Sequence, residues 1–409
     1  MDGATAILIF VGLGVLLGGA RVGGELARKL DQPFVLGEIL AGVFLGPTLM
    51  GTFFPQIVKF YPTTGPTKNF FEGFTYLAVT LFLMVAGMEM NLPSVIKKKQ
   101  AALFVSLSGI IVPFAIGYTL AWHYPVLLGI EQGINPNTFA LFFGTALAIS
   151  ALPVIAKILM DIGLYKSEVG SVIMAAAVFD DLAGWILFSC VVGANTIRPS
   201  GAISFPLLTL LYTLLFAITT MIILRPVLRK LFTILLASKE RTIGVGLVFT
   251  FLFAAITQWI GIHSLFGAFI AGIILGDSGQ LTDETRQSFK NFISSFFTPV
   301  FFASIGLRAN FATHFDLILV ILIISVACIG KIFGCGIAAR FAGMTWNKAL
   351  SVGVGMNARG AMEIVLGLIA FQNGIITEKL FVALVIMAMI TSVMVSPLMK
   401  YFLIQRRKA

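Results

Sequence analysis

The chain is a succession of apolar runs, most of them around twenty residues long, joined by short polar connections. A helix rising about 1.5 Å per residue over such a run matches the hydrocarbon thickness of a bilayer. In lipid the backbone must satisfy its own hydrogen bonds, so only helices and closed barrels span. Barrel strands alternate apolar and polar residues, and these runs do not. The expected fold class is therefore all-α, polytopic and membrane-embedded. Composition bears on one point. The chain is 58% hydrophobic and 11% charged, against about 25% charged in an average soluble domain. A soluble core could not hide that much apolar surface, so soluble enzymes, disordered chains and fibrous repeats are excluded.

Cutting the runs at their polar breaks gives thirteen candidate spans, at roughly 4–26, 33–50, 71–90, 101–122, 139–160, 167–193, 203–225, 242–260, 264–277, 288–307, 315–339, 346–371 and 380–402. The ninth is short, and the tenth and twelfth carry polar residues. The first lacks the basic start of a cleavable signal, because Asp2 precedes it and Arg21, Arg28 and Lys29 come at or after its end. With the N-terminus outside, 21 lysines and arginines fall on the inside, 5 on the outside and 2, Lys331 and Arg359, within spans. That asymmetry obeys the positive-inside rule. It predicts a multi-pass protein of a bacterial-type inner membrane, N-terminus outside and C-terminus cytoplasmic. The net charge of +10 is then loop charge facing the cytoplasm, and no nucleic acid partner is needed. Cys190, Cys328, Cys335 and the three histidines His123, His263 and His314 show no metal or disulfide spacing. No resident metal, cofactor or nucleophile–base set is expected, so the chain reads as a non-enzyme.

Two stretches read alike. Gly37-Glu-Ile-Leu-Ala41-Gly42-Val-Phe-Leu45-Gly46 matches Gly267-Ala-Phe-Ile-Ala271-Gly272-Ile-Ile-Leu275-Gly276, and Phe82, Gly87 and Asn91 share their spacing with Phe301, Gly306 and Asn310. The copies lie seven spans apart, an odd number, so they cross the membrane in opposite directions. Inverted repeats of this kind build many secondary transporters. Extended along the chain, the repeat pairs the fifth span with the twelfth, and both carry breakers. The fifth has Ser150-Ala-Leu-Pro153, whose proline removes a backbone donor. The twelfth has Gly353-Val-Gly355-Met-Asn357-Ala-Arg359-Gly360. Two discontinuous helices that cross at matched positions are the expected transport site.

Ionisable residues at membrane depth are costly and mark function. Three acids, Asp180, Asp181 and Glu363, face two bases, Lys331 and Arg359. Arg359 can pair with Glu363 one helical turn away, and Lys331 with one of the aspartates. One carboxylate is then left over, to be protonated or to hold a mobile cation, since a bare charge in low dielectric is too expensive. That is the logic of cation–proton exchange at a shared site. Ser150 and Thr145 can lend oxygens to a small cation or bond their own backbone. Glu38, in the second span, can be a gate or entry-site charge, but reads first as a packing and orientation residue of the non-transporting half.

These residues resemble the monovalent cation:proton antiporter superfamily, and within it the bacterial NapA and GerN branch. The resemblance runs over nearly the whole chain on Gly37-Glu38-Ile-Leu-Ala-Gly-Val-Phe-Leu-Gly-Pro47, Leu83-Met-Val-Ala-Gly-Met-Glu89, Ser150-Ala-Leu-Pro153, Asp180-Asp181, Lys331 and Asn357-Ala-Arg359-Gly360. It implies a NapA/NhaA-like fold and a homodimer. It also implies a dimerisation panel (about 1–90 with 242–310), an ion-transporting core (about 101–193 with 315–402) and a linker helix (about 203–225). The core would slide against the panel like an elevator. Asp181 resembles the main ion- and proton-binding carboxylate, and Asp180 the acid that pairs with the lysine. Pro153, Asn357, Arg359 and Glu363 would support the broken helices. The paired aspartates resemble those of electrogenic exchangers that trade protons for sodium or lithium. Potassium-efflux relatives usually carry Gln-Asp there and a C-terminal nucleotide-binding domain, neither of which is present in this sequence. Potassium/proton exchange and, more distantly, sodium-coupled organic-anion symport stay open.

Overall fold

A computed structural model describes residues 3–30, 32, 34–54, 65–89, 99–165, 167–195, 211–213, 215–216, 218–227, 239–260, 263–278 and 282–404. Among these residues the regular structure is helical, with no strand. In chain order the helices are α1 (Gly3–Lys29), α2 (Phe34–Leu45), α3 (Met50–Phe53), α4 (Gly65–Met88), α5 (Lys99–His123), α6 (Pro136–Ala148), α7 (Leu152–Asp161) and α8 (Glu168–Asn195). They continue as α9 (Lys239–Trp259), α10 (Ser264–Asp277), α11 (Asp283–Arg308), α12 (Leu317–Phe341), α13 (Trp346–Met356), α14 (Ala361–Gln372) and α15 (Glu378–Ile404).

Among the described residues, eight helices are long and apolar enough to cross a membrane, fewer than the thirteen expected spans. The difference has physical causes. The fifth and twelfth spans are each cut in two, into α6–α7 and α13–α14. The ninth, α10, is apolar but only 14 residues long. The tenth lies in α11, whose first turns carry Asp283, Glu284, Arg286 and Lys290. The seventh falls largely outside the described residues; where 211–227 are described they are helical, with a π-helical turn at Thr220–Leu224.

The chain forms two compact units. The first comprises Met1–Met90 and Leu211–His314 and holds both copies of the repeated pattern. Its packing is reciprocal. Gly42 of α2 lies against the Ala303 carbonyl of α11, and Gly272 of α10 against the Met84 carbonyl of α4. Gly87 meets the Phe269 carbonyl, while Gly306 meets that of Ile39. Each contact is the other's image under the sequence match, and the matched rings of Phe82 and Phe301 stack with centroids 6.4 Å apart. Small residues let helix backbones approach closely where lipid offers no hydrophobic drive to association. A methyl at Gly42 or Gly272 would overlap backbone carbonyl oxygen, which cannot swing aside as a side chain can. Gly42→Ala and Gly272→Ala are each expected to destabilise the protein by about 1–3 kcal/mol, measured by thermal unfolding in mild detergent, with the two effects alike.

The second unit comprises Asn91–Leu210 and Phe315–Ala409. Within it α5 packs on α6, α8 and α12, and α12 packs in turn on α13 and α15. Asp316 starts α12. Its carboxylate accepts the Leu319 N–H at 3.0 Å as an N-cap and meets Lys379 Nζ, near the start of α15, at 2.6 Å. The bond from Lys379, helped by that from Leu319, holds the carboxyl below its ordinary value. A depressed folded value means stability that is present above the unfolded value near 4 and lost as pH falls through the folded one. Asp316→Ala is expected to cost about 1–2 kcal/mol near neutral pH. In melting curves taken at successively lower pH, the gap to the native chain should narrow.

Candidate functional site

Two interruptions in the second unit build the site. α6 is apolar and capped at its start by Asn135, whose side chain accepts the Asn137 and Thr138 N–H groups. It ends at Ala148 because Pro153, four positions after Ile149, supplies no N–H for the ladder. Ile149 and Ala151 are extended, and the chain re-enters helix at Leu152 with Pro153 in the first turn of α7. The second interruption spans Asn357–Gly360 between α13 and α14. Gly360 lies so close to the first break that a Cβ there would sit 2.7 Å from Val154 Cγ2. The two breaks meet directly, because the Ala151 N–H donates to the Ala358 carbonyl at 3.0 Å.

An interrupted helix leaves carbonyls without partners at one end and N–H groups at the other. The carbonyl end of α6 is served by two fully buried cations. Arg359 Nη1 donates to the Ala146 carbonyl at 2.7 Å and to Ile149 at 3.3 Å, and Nη2 to Leu147 at 2.6 Å. Lys331 Nζ takes the Ala148 carbonyl. Both cations lie where the helix dipole is negative, and both side chains are 0% exposed. Among the described residues no cation donates to the carbonyl end of α13. Asn357 and Ala358 N–H groups take Val354 and Gly355, and the Met356 carbonyl faces Ser150 Oγ at 2.7 Å.

The three acids stand in different states of satisfaction. Asp180 is saturated. Its Oδ1 accepts from Ser106 Oγ at 2.7 Å, and its Oδ2 lies 2.6 Å from Lys331 Nζ and 3.0 Å from Ser150 Oγ. Lys331 spends its remaining donors on the Gly109 carbonyl at 2.8 Å and on Ala148. A buried ion pair survives desolvation when its other hydrogen bonds are satisfied, as they are in this pair. Glu363 meets Arg359 at 3.3 Å and has Oε2 without a partner among the described residues. Asp181 is 2% exposed. Its carboxylate takes the Leu152 N–H at the start of α7, while Oδ1 has no partner among the described residues. An anionic oxygen left bare in such surroundings costs several kcal/mol, about as much as breaking a buried pair, so this position suits a proton or a small cation.

The structure thus brings Asp180, Asp181, Ser150, Lys331, Arg359 and Glu363 together around the two breaks. Thr145 is buried but donates to the Leu141 carbonyl of its own helix at 2.7 Å, so its proton is spent locally. Asn357 closes α13, donates to Cys328 Sγ at 3.2 Å and leaves Oδ1 without a partner among the described residues. Glu38 belongs to the first unit, buried on α2. Residue reasoning missed Ser106, which holds Asp180, and Ser392, whose hydroxyl donates to the Arg359 carbonyl. Nothing in one sequence separates them from hydroxyls such as Thr391, which bonds back to Met387 in its own helix.

The sequence and the fold have counterparts. A sequence model described as the transmembrane sodium/hydrogen exchanger matches residues 10–401. The Na(+)/H(+) antiporter NhaS4 of Synechocystis sp. is 33% identical over 411 residues, covering 97% of this chain and 98% of that one. The Na(+)/H(+)-K(+) antiporter GerN of Bacillus cereus is 27% identical, covering 96% and 95%. Among solved structures, the sodium proton antiporter MjNhaP1 of Methanocaldococcus jannaschii superposes with a TM-score of 0.73 at 15% identity, over 97% of this chain and 96% of that one. The last is a likeness of fold, but the sequence matches run end to end over the helices that hold the breaks. On that ground the chain belongs to the sodium/hydrogen exchanger family of multi-pass membrane proteins.

Proposed function

We propose that this antiporter exchanges sodium or lithium for protons, and that Asp181 is the group for which the two compete. One observation carries the reading: in a buried site whose lysine and Asp180 are saturated, Asp181 keeps an oxygen without a partner among the described residues. A proton and a cation are alternative ways to neutralise it. The unit that bears the site, including about 101–193 and 315–402, acts as the moving core, and about 1–90 with 242–310 acts as the dimerisation panel, with 203–225 as linker. Movement of the core past the panel of a homodimer exposes the site to one side and then the other. The charge count of 21 basic residues inside against 5 outside supports an outside N-terminus and a cytoplasmic C-terminus. Two adjacent aspartates in the core support exchange of more than one proton per cation, which would make transport sensitive to membrane potential. GerN is a Na(+)/H(+)-K(+) antiporter by name, and this favours potassium/proton exchange as the second reading.

The test is transport by the intact chain in proteoliposomes, read by an internal pH dye as sodium, lithium or potassium is added outside. Internal alkalinisation driven by sodium and lithium is expected, as each entering cation sends protons out, with a smaller response to potassium. A response to potassium above that to sodium replaces the first reading with the second, and no response to any of the three overturns both.

A further inference from the structure

The first unit repeats itself, so a residue that packing alone requires in one half has a counterpart in the other. The match of Gly37 with Gly267 extends back into the preceding helices. Gly37 of α2 lies against the Gly23 carbonyl of α1, and Gly267 of α10 against the Phe253 carbonyl of α9. The same spacing sets Glu38 against Ala268 and Arg21 against Phe251. The spacing that joins Phe82 to Phe301 sets Ser295 against Tyr76 and Pro299 against Thr80. In α4 the Tyr76 carbonyl has the Thr80 N–H in the helical ladder and also takes Thr80 Oγ1 at 2.7 Å. In α11 Pro299 supplies no N–H, and Arg21 Nη2 donates to the freed Ser295 carbonyl at 2.6 Å. Glu38 is 2% exposed, and its Oε2 has no partner among the described residues. Its counterpart Ala268 is fully buried and needs none. Packing at this place is thus met by alanine in one half, so the acid and the arginine are an addition made in the other half alone.

We propose that Glu38 is a proton-binding site of the first unit, apart from the exchange site, and that its proton decides whether Arg21 bonds the Ser295 carbonyl or the Glu38 carboxylate. The register brings the three together. Gly42 meets Ala303 and Gly46 meets Gly306, so α2 and α11 run side by side in one direction. Glu38, four residues before Gly42, comes level with Pro299, four before Ala303. Arg21 is the charged group that acts on Glu38. The other helices packed on α2 offer no rival. α2 and α3 carry no further charge. On α1, Glu25 and Arg28 pair with each other at 2.6 Å. On α11 the stretch 291–307 is uncharged, and Lys290 before it pairs with Glu89. A bare carboxylate buried beside a guanidinium that bonds elsewhere is too expensive, so in this arrangement Glu38 holds a proton. When alkaline pH removes it, an arginine–carboxylate pair is stronger than an arginine–carbonyl bond. Arg21, which is part-exposed, turns to Glu38 and gives up Ser295. The proton passes to water, and no covalent bond of the main chain changes. The response acts on the break in α11 and has no image in α4, which keeps its ladder. It stands apart from the exchange proposed above and does not require it.

The experiment uses the full chain in mild detergent. Infrared difference spectra between weakly acid and alkaline pH are recorded for the native chain and for Glu38→Gln. The native chain should lose a protonated-carboxyl band on alkalinisation that Glu38→Gln does not show. The native chain, Arg21→Gln, Glu38→Gln and the double variant are then unfolded with denaturing detergent at both pH values. At acid pH the two losses should add, because Arg21 and the neutral glutamate have separate partners. At alkaline pH they should couple by about tenfold in the unfolding constant, the scale of one charge-assisted bond. The same band change in native chain and Glu38→Gln overturns the proposal, and so does a coupling that is equal at the two pH values. If Arg21→Gln fails to fold, Arg21→Lys takes its place in the cycle, with coupling again expected at alkaline pH alone. Neither readout depends on transport, so failure of this proposal and failure of the exchange reading are told apart.

Discussion

Asp181→Asn should abolish exchange while leaving the fold intact. The amide is nearly isosteric with the carboxylate and still offers an oxygen to the Leu152 N–H at the start of α7. What it removes is the ability to alternate between a proton and a cation. An amide carries no charge, so the cation loses its counter-ion at a position where a buried charge pair is worth about 3–5 kcal/mol, a factor of roughly a hundred to a thousand in affinity. Transport should therefore fall by at least about a hundredfold, with the melting temperature close to that of the native chain. Retention of full sodium/proton exchange in this variant would falsify the assignment of Asp181. A large drop in melting temperature would instead recast Asp181 as a structural cap of α7.

The second large effect is the opposite in kind. Lys331→Ala should destabilise the protein by about 3–5 kcal/mol, because its ammonium satisfies Asp180 Oδ2 and two main-chain carbonyls, Gly109 and Ala148. Its removal leaves a buried carboxylate without its counter-ion and two main-chain carbonyls without that donor. Adding Asp180→Asn to Lys331→Ala removes the bare charge, so the double variant should be more stable than the sum of the single losses predicts. Detergent melting of the four proteins in that cycle measures the coupling. Additive losses would argue that the pair contributes nothing beyond its two members. Together the two aspartate results separate function from stability within one adjacent pair.

Much of this was legible in the residues, and the reason is cost. A bilayer makes every polar group expensive, so Lys331, Arg359, Asp180, Asp181 and Glu363 stand out from the apolar runs around them. The breaks were legible for a similar reason, because Pro153 and the Gly353–Gly360 cluster cannot continue a helix comfortably. The small-residue repeat anticipated Gly42 and Gly272, although only packing shows that each meets a carbonyl in the other copy. Eight helices among the described residues are long and apolar enough to span, because the fifth and twelfth expected spans are split where their breakers lie, while the short α10 and the polar start of α11 fall outside limits of length and apolarity.

What the chain's residues determined by themselves was an inventory: a membrane protein, two interrupted helices at matched places, and three acids against two bases. Arg359 and Glu363 were also paired by their spacing, read as one helical turn, although Arg359 lies in the break just before α14 and still reaches Glu363. The partner of Lys331 is different. Asp180 and Asp181 are neighbours in sequence but point about 100° apart around α8. Charge arithmetic leaves that choice open. The family resemblance implied Asp180, and the rotation of α8 against α5 and α12 makes the contact. Only the tertiary structure could reveal that the lysine and arginine also cap α6, because carbonyl groups are the same at every residue and carry no sequence signal. For the same reason only the fold could bring the Ser150 hydroxyl to both Asp180 and the last carbonyl of α13, a contact that exists because two broken helices meet.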